Sequence, residues 1–386
     1  MKDTAQTVMV RLFREIPDPR MIGKISHKLC DILTIAVCAI IAGVESWTLM
    51  EDFGRTHKAW FQTFLELPNG VPSHDTFGNV FAAMEPVAFE KAIVLWITAL
   101  VDGHTQGKQI AIDGKTLRRS FDRATGKAAV HMVSAYVHEN HAVFGQLTVD
   151  AKSNEITAIP QLLDTLKLKE ATVTIDAMGC QREIAQTIVD GGGHYLLSVK
   201  DNQPTLHEDI QATFAEADDD RRRTMDEQPR PLLEVFEHTD KGHGRIETRT
   251  VSLCRHLAWL TTAERWEGLS FVARVVRQRN VQATGKTSTE TAYYIGSDKA
   301  ATAATTGKNI RRHWGIENQL HWVLDLAFRE DEARHRAKNT AANMTTLRHL
   351  ALNLIKSDKK RKLGVANARK PAGWDRSYLV SLLTGE

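Results

Sequence analysis

The order of short apolar runs between residues 108 and 217 limits the possible folds of this chain more than any other feature. Three β-rich runs come first, separated by gaps of hairpin length, and two further runs then alternate with helical segments. The predicted strands are Lys108–Asp113, Ala129–Val137, Ala142–Val149, Thr172–Asp176 and Tyr195–Lys200, and the predicted helices are Glu155–Leu168, Gln181–Asp190 and Pro204–Ala217. A three-strand meander followed by strands that alternate with helices predicts a mixed α/β sheet with flanking helices.

The region before this core has a helical pattern. Residues 1–105 contain short helical segments with tight turns, and Ser73 stands as the N-cap of a helix over His74–Met84. These segments fit either a helix-turn-helix variant that binds DNA or a plain helical bundle, and the pattern does not choose between the two.

The region after the core changes character twice. A charged connection over residues 218–230 leads to β-like runs up to Ser297, and helices are predicted over Lys308–Arg329 and Asn339–Ile355. The segment Lys356–Lys370 carries seven basic residues and one acid. It either contacts the phosphates of a nucleic acid or is simply a solvated end of the chain. We predict an N-terminal helical domain (1–105), a first core part (106–217), a β-rich insertion (218–300), and remaining core helices with a basic tail (301–386). The order of strands and helices between residues 108 and 217 is that expected of a ribonuclease-H-like core.

Composition excludes several classes of protein. The chain has 386 residues, a net charge of +3 and four scattered cysteines, which argues against a disulfide framework and against a thiolate zinc site. Its most apolar stretch, Ile32–Val44, spans 13 residues and is too short to cross a bilayer. We therefore expect a soluble cytoplasmic protein. Its weak positive charge is compatible with association with the nucleoid.

Three carboxylates are the candidate catalytic and metal-binding residues. Asp113 and Asp176 each end an apolar strand, where ligands of α/β sheets bind, and Glu317 lies on a predicted helix with an apolar face. Carboxylate oxygens suit a hard cation such as Mg²⁺, with Mn²⁺ as a substitute. Two such ions could activate an attacking oxygen and stabilise the leaving oxygen at phosphorus.

Two histidines share the helix face of Glu317 and permit a competing interpretation. His313, Glu317 and His321 stand at i, i+4 and i+8, and imidazole favours zinc. However, residues eight apart are separated by about 12 Å along a helix, too far for one ion. The histidines are therefore predicted to contact phosphates or to brace the acids, with ordinary packing as the alternative.

Several cations are candidate DNA contacts, with a solvated surface as the alternative for each. Lys115, Arg118 and Arg119 follow the first aspartate, and Lys200 follows a strand. His243, Arg245 and Arg249 alternate along a predicted strand and so share one face.

At these residues the sequence resembles the DDE transposases of bacterial insertion sequences, and more closely the H-repeat-associated transposases found beside Rhs elements. The resemblance runs nearly from end to end. Its most specific motifs are AIDGKTLRRS at Ala111–Ser120, TIDAMGCQ at Thr174–Gln181 and HWGIENQLHWVLDLAFRED at His313–Asp331.

The resemblance implies roles for particular residues. The family's catalytic acids match Asp113, Asp176 and Glu317, within a ribonuclease-H-like domain that has a β-rich insertion before the glutamate helix. It also implies Mg²⁺-dependent cleavage at element ends and joining of the 3′-hydroxyl to target DNA by a homodimer or a larger assembly. Related transposases carry Tyr, Arg and Lys at positions that are here Ile310, His313 and Leu324; Arg311, Arg312 and His321 are the cations that could take over.

Two other functions share these features. One is a DNA-binding relic without chemistry, although such relics usually lose an acid or a domain and this chain keeps all three acids. The other is a metal-dependent nuclease adopted by the host, which would cleave DNA without joining it.

Overall fold

The computed structural model describes residues 5–100, 105–149, 155–220, 233–242, 244–358 and 360–385. Its helices are α1 (Ala5–Arg14), α2 (Leu29–Ile41), α3 (Trp47–Thr56), α4 (Lys58–Phe61), α5 (His74–Ala83), α6 (Pro86–Leu100), α7 (Glu155–Asp164), α8 (Arg182–Asp190), α9 (Pro204–Asp220), α10 (Ala303–His313), α11 (Trp322–Phe328), α12 (Thr340–Ser357), α13 (Val365–Trp374) and α14 (Arg376–Thr384). Its strands are β1 (Gln109–Thr116), β2 (His131–Val137), β3 (Ala142–Val149), β4 (Thr172–Ile175), β5 (His194–Val199), β6 (Leu233–Gly242), β7 (Arg245–Cys254), β8 (Phe271–Val281) and β9 (Lys286–Gly296).

The chain forms two compact units. The first comprises Met1–His104, Gly114–Glu155 and Glu317–Glu386, and the second comprises Thr105–Asp113 and Ile156–Ile316. The strands and helices predicted between residues 108 and 217 are all present, with shifted ends. Together they confirm the mixed α/β class.

The second unit is built on a large mixed sheet. Its strands follow the order β1-β4-β5-β9-β8-β7-β6, in which β1, β4 and β5 are parallel and the other neighbours are antiparallel. Ile110, Ala111 and Ile112 of β1 are buried, as expected of a parallel strand covered on both faces. The four strands of the predicted insertion extend this sheet, because β9 pairs with β5.

The first unit packs around α12, which is buried from Thr340 to Ile355. Helices α2, α5 and α6 and the hairpin of β2 and β3 surround it. Buried amides fix its position: the side chain of Asn353 bonds both the N–H and the C=O of Val143 at 2.9 Å, and Asn343 donates to the carbonyls of Phe81 and Met84. Because each bond satisfies a buried backbone group, the pairing selects one register for the helix.

The long helix predicted over Lys308–Arg329 is divided in the structure. It begins earlier, at Ala303, because Thr302 and Thr305 form a capping box. Helix α10 ends at His313, a π-helical turn covers Glu317–His321, and α11 follows. Turns of this kind occur often at functional sites.

Among the described residues, no helix combines the length and the apolar character that a membrane crossing needs.

Candidate active site

Asp113 and Asp176 lie where the parallel pairing of two neighbouring strands of the second unit ends, although β1 itself continues to Thr116 and does not stop at Asp113 as the sequence predicts. Strands β1 and β4 pair in register up to Ile112 and Ile175, and each aspartate is the next residue along the chain. Paired strands lie about 4.8 Å apart, and the carboxyl ends of parallel strands meet at the same sheet edge. The register therefore brings the first two predicted acids together at that edge.

The carboxylate of Asp176 is oriented by the backbone that follows it. Its Oδ1 accepts hydrogen bonds from the N–H groups of Met178 at 3.1 Å and Gly179 at 3.4 Å, and the side chain caps a short 3₁₀ turn. Asp176 is nevertheless exposed to solvent. Such capping fixes the direction of the carboxylate without enclosing it.

His313, at the end of α10, lies close to Asp176. Its Nδ1 is 3.0 Å from Oγ1 of Thr174 on β4, two residues before the aspartate. Burial lowers the pKa of His313, and the negative charge of Asp176 only partly offsets this. The imidazole is therefore neutral at pH 7, which disfavours it as a point charge for phosphate and favours a bracing role.

Glu317 opens the π-helical turn, four residues after His313. Its side chain is 60% exposed, and its Oε2 lies 3.6 Å from Nδ1 of His321 within the first unit. His321 itself is buried. Burial and the nearby charge of Lys115 lower the pKa of His321 to about 3, so it is a neutral neighbour of Glu317.

Gly114, directly after Asp113, stands against a buried pair of polar side chains. A Cβ at this position would lie 2.8 Å from Cδ of Glu155 and would also collide with Nε2 of His131. These two side chains are hydrogen-bonded to each other, and Nδ1 of His131 is 2.9 Å from Oγ1 of Thr116. Because both partners are held, only glycine fits here without moving them.

Replacing Gly114 by alanine is expected to destabilise the protein by about 1–3 kcal/mol, since overpacking a filled site displaces side chains or backbone. Denaturant unfolding of Gly114→Ala beside Gly242→Ala measures this. Gly242 also lies on a strand but has open space around its Cα, so its variant should change stability by less than about 1 kcal/mol. Equal losses in the two variants would contradict the steric argument.

Lys115 is mostly enclosed rather than presented to solvent. Its Nζ lies 2.5 Å from Oδ1 of Asp325, 3.0 Å from Oε2 of Glu330 and 3.4 Å from the carbonyl oxygen of His321. Burial by itself lowers the pKa of Lys115, but Glu330 and Asp325 outweigh it and the pKa is raised. Sequence reasoning missed these two acids, because a charged residue on a predicted helix, such as Asp325, or directly after one, such as Glu330, resembles solvated surface.

The buried charge of Glu330 has further partners on α12. Its Oε1 accepts from Thr345 at 3.2 Å and lies 3.7 Å from Nη1 of Arg348. Burial raises its pKa, but Lys115 and Arg348 reverse the effect and the pKa of Glu330 is lowered. Both shifts favour the charged forms, so Glu330 and Lys115 stay charged at pH 7.

His349 beside this cluster makes stability depend on pH. Burial, despite the attraction of Glu330, lowers its pKa to about 4, whereas an unfolded histidine has a pKa near 6.5. The stability that the neutral histidine contributes is therefore fully present above about pH 6.5. It falls steadily as the pH drops from there to about 4, and the loss is about 2 kcal/mol at pH 5.

We expect His349→Leu to remove this part of the acid sensitivity, because leucine does not bind a proton. The substitution also breaks no hydrogen bond at Nδ1 of His349, which has no partner among the described residues. Guanidinium unfolding at pH 8 and pH 5 measures it. The stability lost between these two pH values should be about 2 kcal/mol smaller in the variant; an identical loss would contradict the assignment.

The remaining cationic candidates of the first unit are mostly exposed. Arg118 pairs with Asp331 at 3.3 Å with its side chain 79% exposed, and Arg119 is also exposed. In the basic segment, Lys356 and Arg369 are instead largely buried, and Arg369 pairs with Glu45 at 2.5 Å.

In the second unit, two of the candidates share one acid. Arg249 and Arg311 both pair with Asp240. Lys200 and Arg245 are exposed and Arg312 is half-buried. His243 lies outside the described residues. Arg249 and Arg311 thus belong to one cluster, which their separation in sequence does not reveal.

Comparison with known proteins identifies the family. The family described as transposase DDE domain matches residues 104–354, and the one described as DDE_Tnp_1-associated matches residues 10–97. "H repeat-associated putative transposase YhhI" of Escherichia coli strain K12 is 38% identical over 375 residues, which cover 96% of each chain. "Putative transposase YncI" of Escherichia coli O157:H7 is 40% identical over 376 residues, 95% of this chain and 92% of that protein.

Among solved structures, the piggyBac transposase synaptic complex with hairpin DNA aligns over 98% of this chain and 80% of that chain, with a TM-score of 0.44 and 10% identity. This likeness is too weak to indicate a shared fold. The match to the transposase DDE domain and the nearly full-length relatives show that this chain belongs to the DDE transposase family.

Proposed function

We propose that this protein cleaves DNA at the ends of a mobile element and joins the freed 3′-hydroxyl to target DNA. Asp113, Asp176 and Glu317 hold the divalent metal ions that the reaction needs. The observation that supports the proposal best is the parallel register of β1 and β4, whose last paired residues, Ile112 and Ile175, are each followed by an aspartate. Membership of the DDE transposase family supports the same roles. The core around these acids is proposed to be ribonuclease-H-like.

The donor chemistry fits Mg²⁺ or Mn²⁺. Asp176 and Glu317 are exposed carboxylates, and hard cations prefer oxygen ligands. When bound, such ions lower the pKa of an attacking water or hydroxyl and stabilise the leaving oxygen. The backbone N–H groups of Met178 and Gly179 keep the carboxylate of Asp176 in place, and neutral His313 braces it without adding a competing charge.

The DNA backbone is proposed to contact the exposed cations. Arg118, Arg119, Lys200 and Arg245 are exposed and can reach phosphates. Arg249 and Arg311, which share Asp240, and neighbouring Arg312 are proposed as further contacts to the DNA backbone. The neutral His313 and His321 are assigned to bracing of the acids, in line with one of the two roles that the sequence predicts for them.

The decisive experiment uses DNA that carries the natural flanks of this gene, incubated with purified protein and Mg²⁺ or Mn²⁺. The expected products are nicks at the flanks followed by strands joined to a second DNA. Cleavage without joined strands would favour the nuclease adopted by the host. Binding without cleavage would favour the DNA-binding relic and overturn the proposal. Mass photometry of the DNA complex tests the proposed homodimer.

A further inference from the structure

Lys115 connects strand β1 to the segment that begins with Glu317. The residue lies two positions after Asp113, and its ammonium contacts Asp325, Glu330 and the carbonyl oxygen of His321. Its side chain is only 12% exposed and that of Glu330 only 1%. A cation in this setting is held by protein groups rather than offered to a ligand.

The contact with His321 falls at the end of the π-helical turn that Glu317 opens. A π turn closes hydrogen bonds from i to i+5 and is therefore a place where a helix can change register. Lys115 holds the last carbonyl of the turn and Asp325 one turn further on. These two contacts fix the position of the turn and thereby the direction of the Glu317 side chain.

We propose that Lys115 is a positioning residue for Glu317, and that it acts in metal binding rather than in phosphate contact. This inference rests on the proposed function. A phosphate could reach the Lys115 ammonium only by displacing Asp325 or Glu330, and Glu330 is itself held in place. Thr345 and Arg348 contact the other oxygen of Glu330, and Arg348 also lies 3.8 Å from Glu45.

The test measures Mn²⁺ binding by electron paramagnetic resonance, on full-length protein without DNA. Lys115→Met should weaken Mn²⁺ binding at least tenfold. Arg274→Met is the matched control, because Arg274 is 15% exposed and pairs with Asp218 at 2.6 Å in the other unit; its Mn²⁺ affinity should stay within twofold of wild type. Lys115→Met should also raise the Mn²⁺ concentration for half-maximal cleavage, while DNA affinity stays within twofold.

Two results would overturn the inference. One is unchanged Mn²⁺ affinity in Lys115→Met; the other is a loss of DNA affinity of tenfold or more, which would mark a phosphate contact. If circular dichroism shows that this variant is unfolded, Asp325→Asn decides, since it keeps the buried pair of Lys115 with Glu330. Its Mn²⁺ affinity should fall at least fivefold, and an unchanged value would overturn the inference.

The same titration separates this inference from the proposed function. Asp113→Asn should lose Mn²⁺ binding if the three acids form the metal site. If wild type binds no Mn²⁺, or if Asp113→Asn binds as wild type does, the proposed function fails. If Asp113→Asn loses binding while folded Lys115→Met retains it, the proposed function stands and the role of Lys115 fails.

Discussion

Cleavage by Glu317→Gln, and equally by Asp176→Asn, is expected to fall by roughly 10³-fold or more while DNA binding persists. Losing one carboxylate ligand removes several kcal/mol of charge stabilisation at the reacting phosphorus, and each 1.4 kcal/mol is about tenfold in rate. Both substitutions keep the size of the side chain and sit at exposed positions, so folding should be unaffected.

Glu332→Gln is the matched control for this comparison. Glu332 is exposed to a similar extent as Glu317, at 55% against 60%, and pairs only with the exposed Arg329 among the contacts described. Single-turnover cleavage and a gel-shift assay should show that this variant keeps both activities. If Glu317→Gln cleaves as fast as Glu332→Gln, the assignment of the third acid is wrong.

The strands that carry Asp113 and Asp176 could be predicted because their signals are local. An apolar run followed by a carboxylate is visible in a short stretch of sequence, whereas the parallel register of β1 and β4 is known only from the fold. The β-like runs after residue 230 were recognised for the same reason. Their attachment to the central sheet through β5 and β9 could not be, because pairing partners about 100 residues apart leave no local pattern.

The packing of α12 against strand β3 and against the N-terminal helix α5 includes long-range polar contacts. Asn353 bonds the backbone of Val143, and Asn343 bonds that of Phe81. In the sequence these amides look like ordinary helix-surface residues. The π turn at Glu317 was also missed, since the apolar periodicity of the surrounding sequence continues through it. Both features depend on which groups the folded chain buries.

The role of Lys115 shows the same limit at the candidate site. A lysine close after a candidate catalytic aspartate predicts a phosphate contact, because its acidic partners are distant in sequence and cannot be recognised there. Only the fold shows that Asp325 and Glu330 enclose it. Residue type and spacing therefore suffice to propose the three acids, while the contacts of Lys115 become visible only in the fold.

Glu330→Gln is expected to destabilise the protein by about 3–5 kcal/mol, because it leaves the buried cations Lys115 and Arg348 without their shared anion. Guanidinium unfolding at pH 7 measures the loss. Glu332→Gln is again the control, since a surface ion pair contributes about 0–1 kcal/mol.

The pH dependence of stability gives a second readout for Glu330. Its folded pKa is lowered, so its contribution is present above the unfolded value of about 4.3 and is lost as the pH falls through the folded pKa. The gap in stability between wild type and Glu330→Gln should therefore narrow in acid. The double variant Lys115→Met with Glu330→Gln should be more stable than Glu330→Gln alone, because it removes one of the stranded cations. If the two substitutions are simply additive, the buried pair is not coupled, and the anchor that we assign to Lys115 loses its energetic basis.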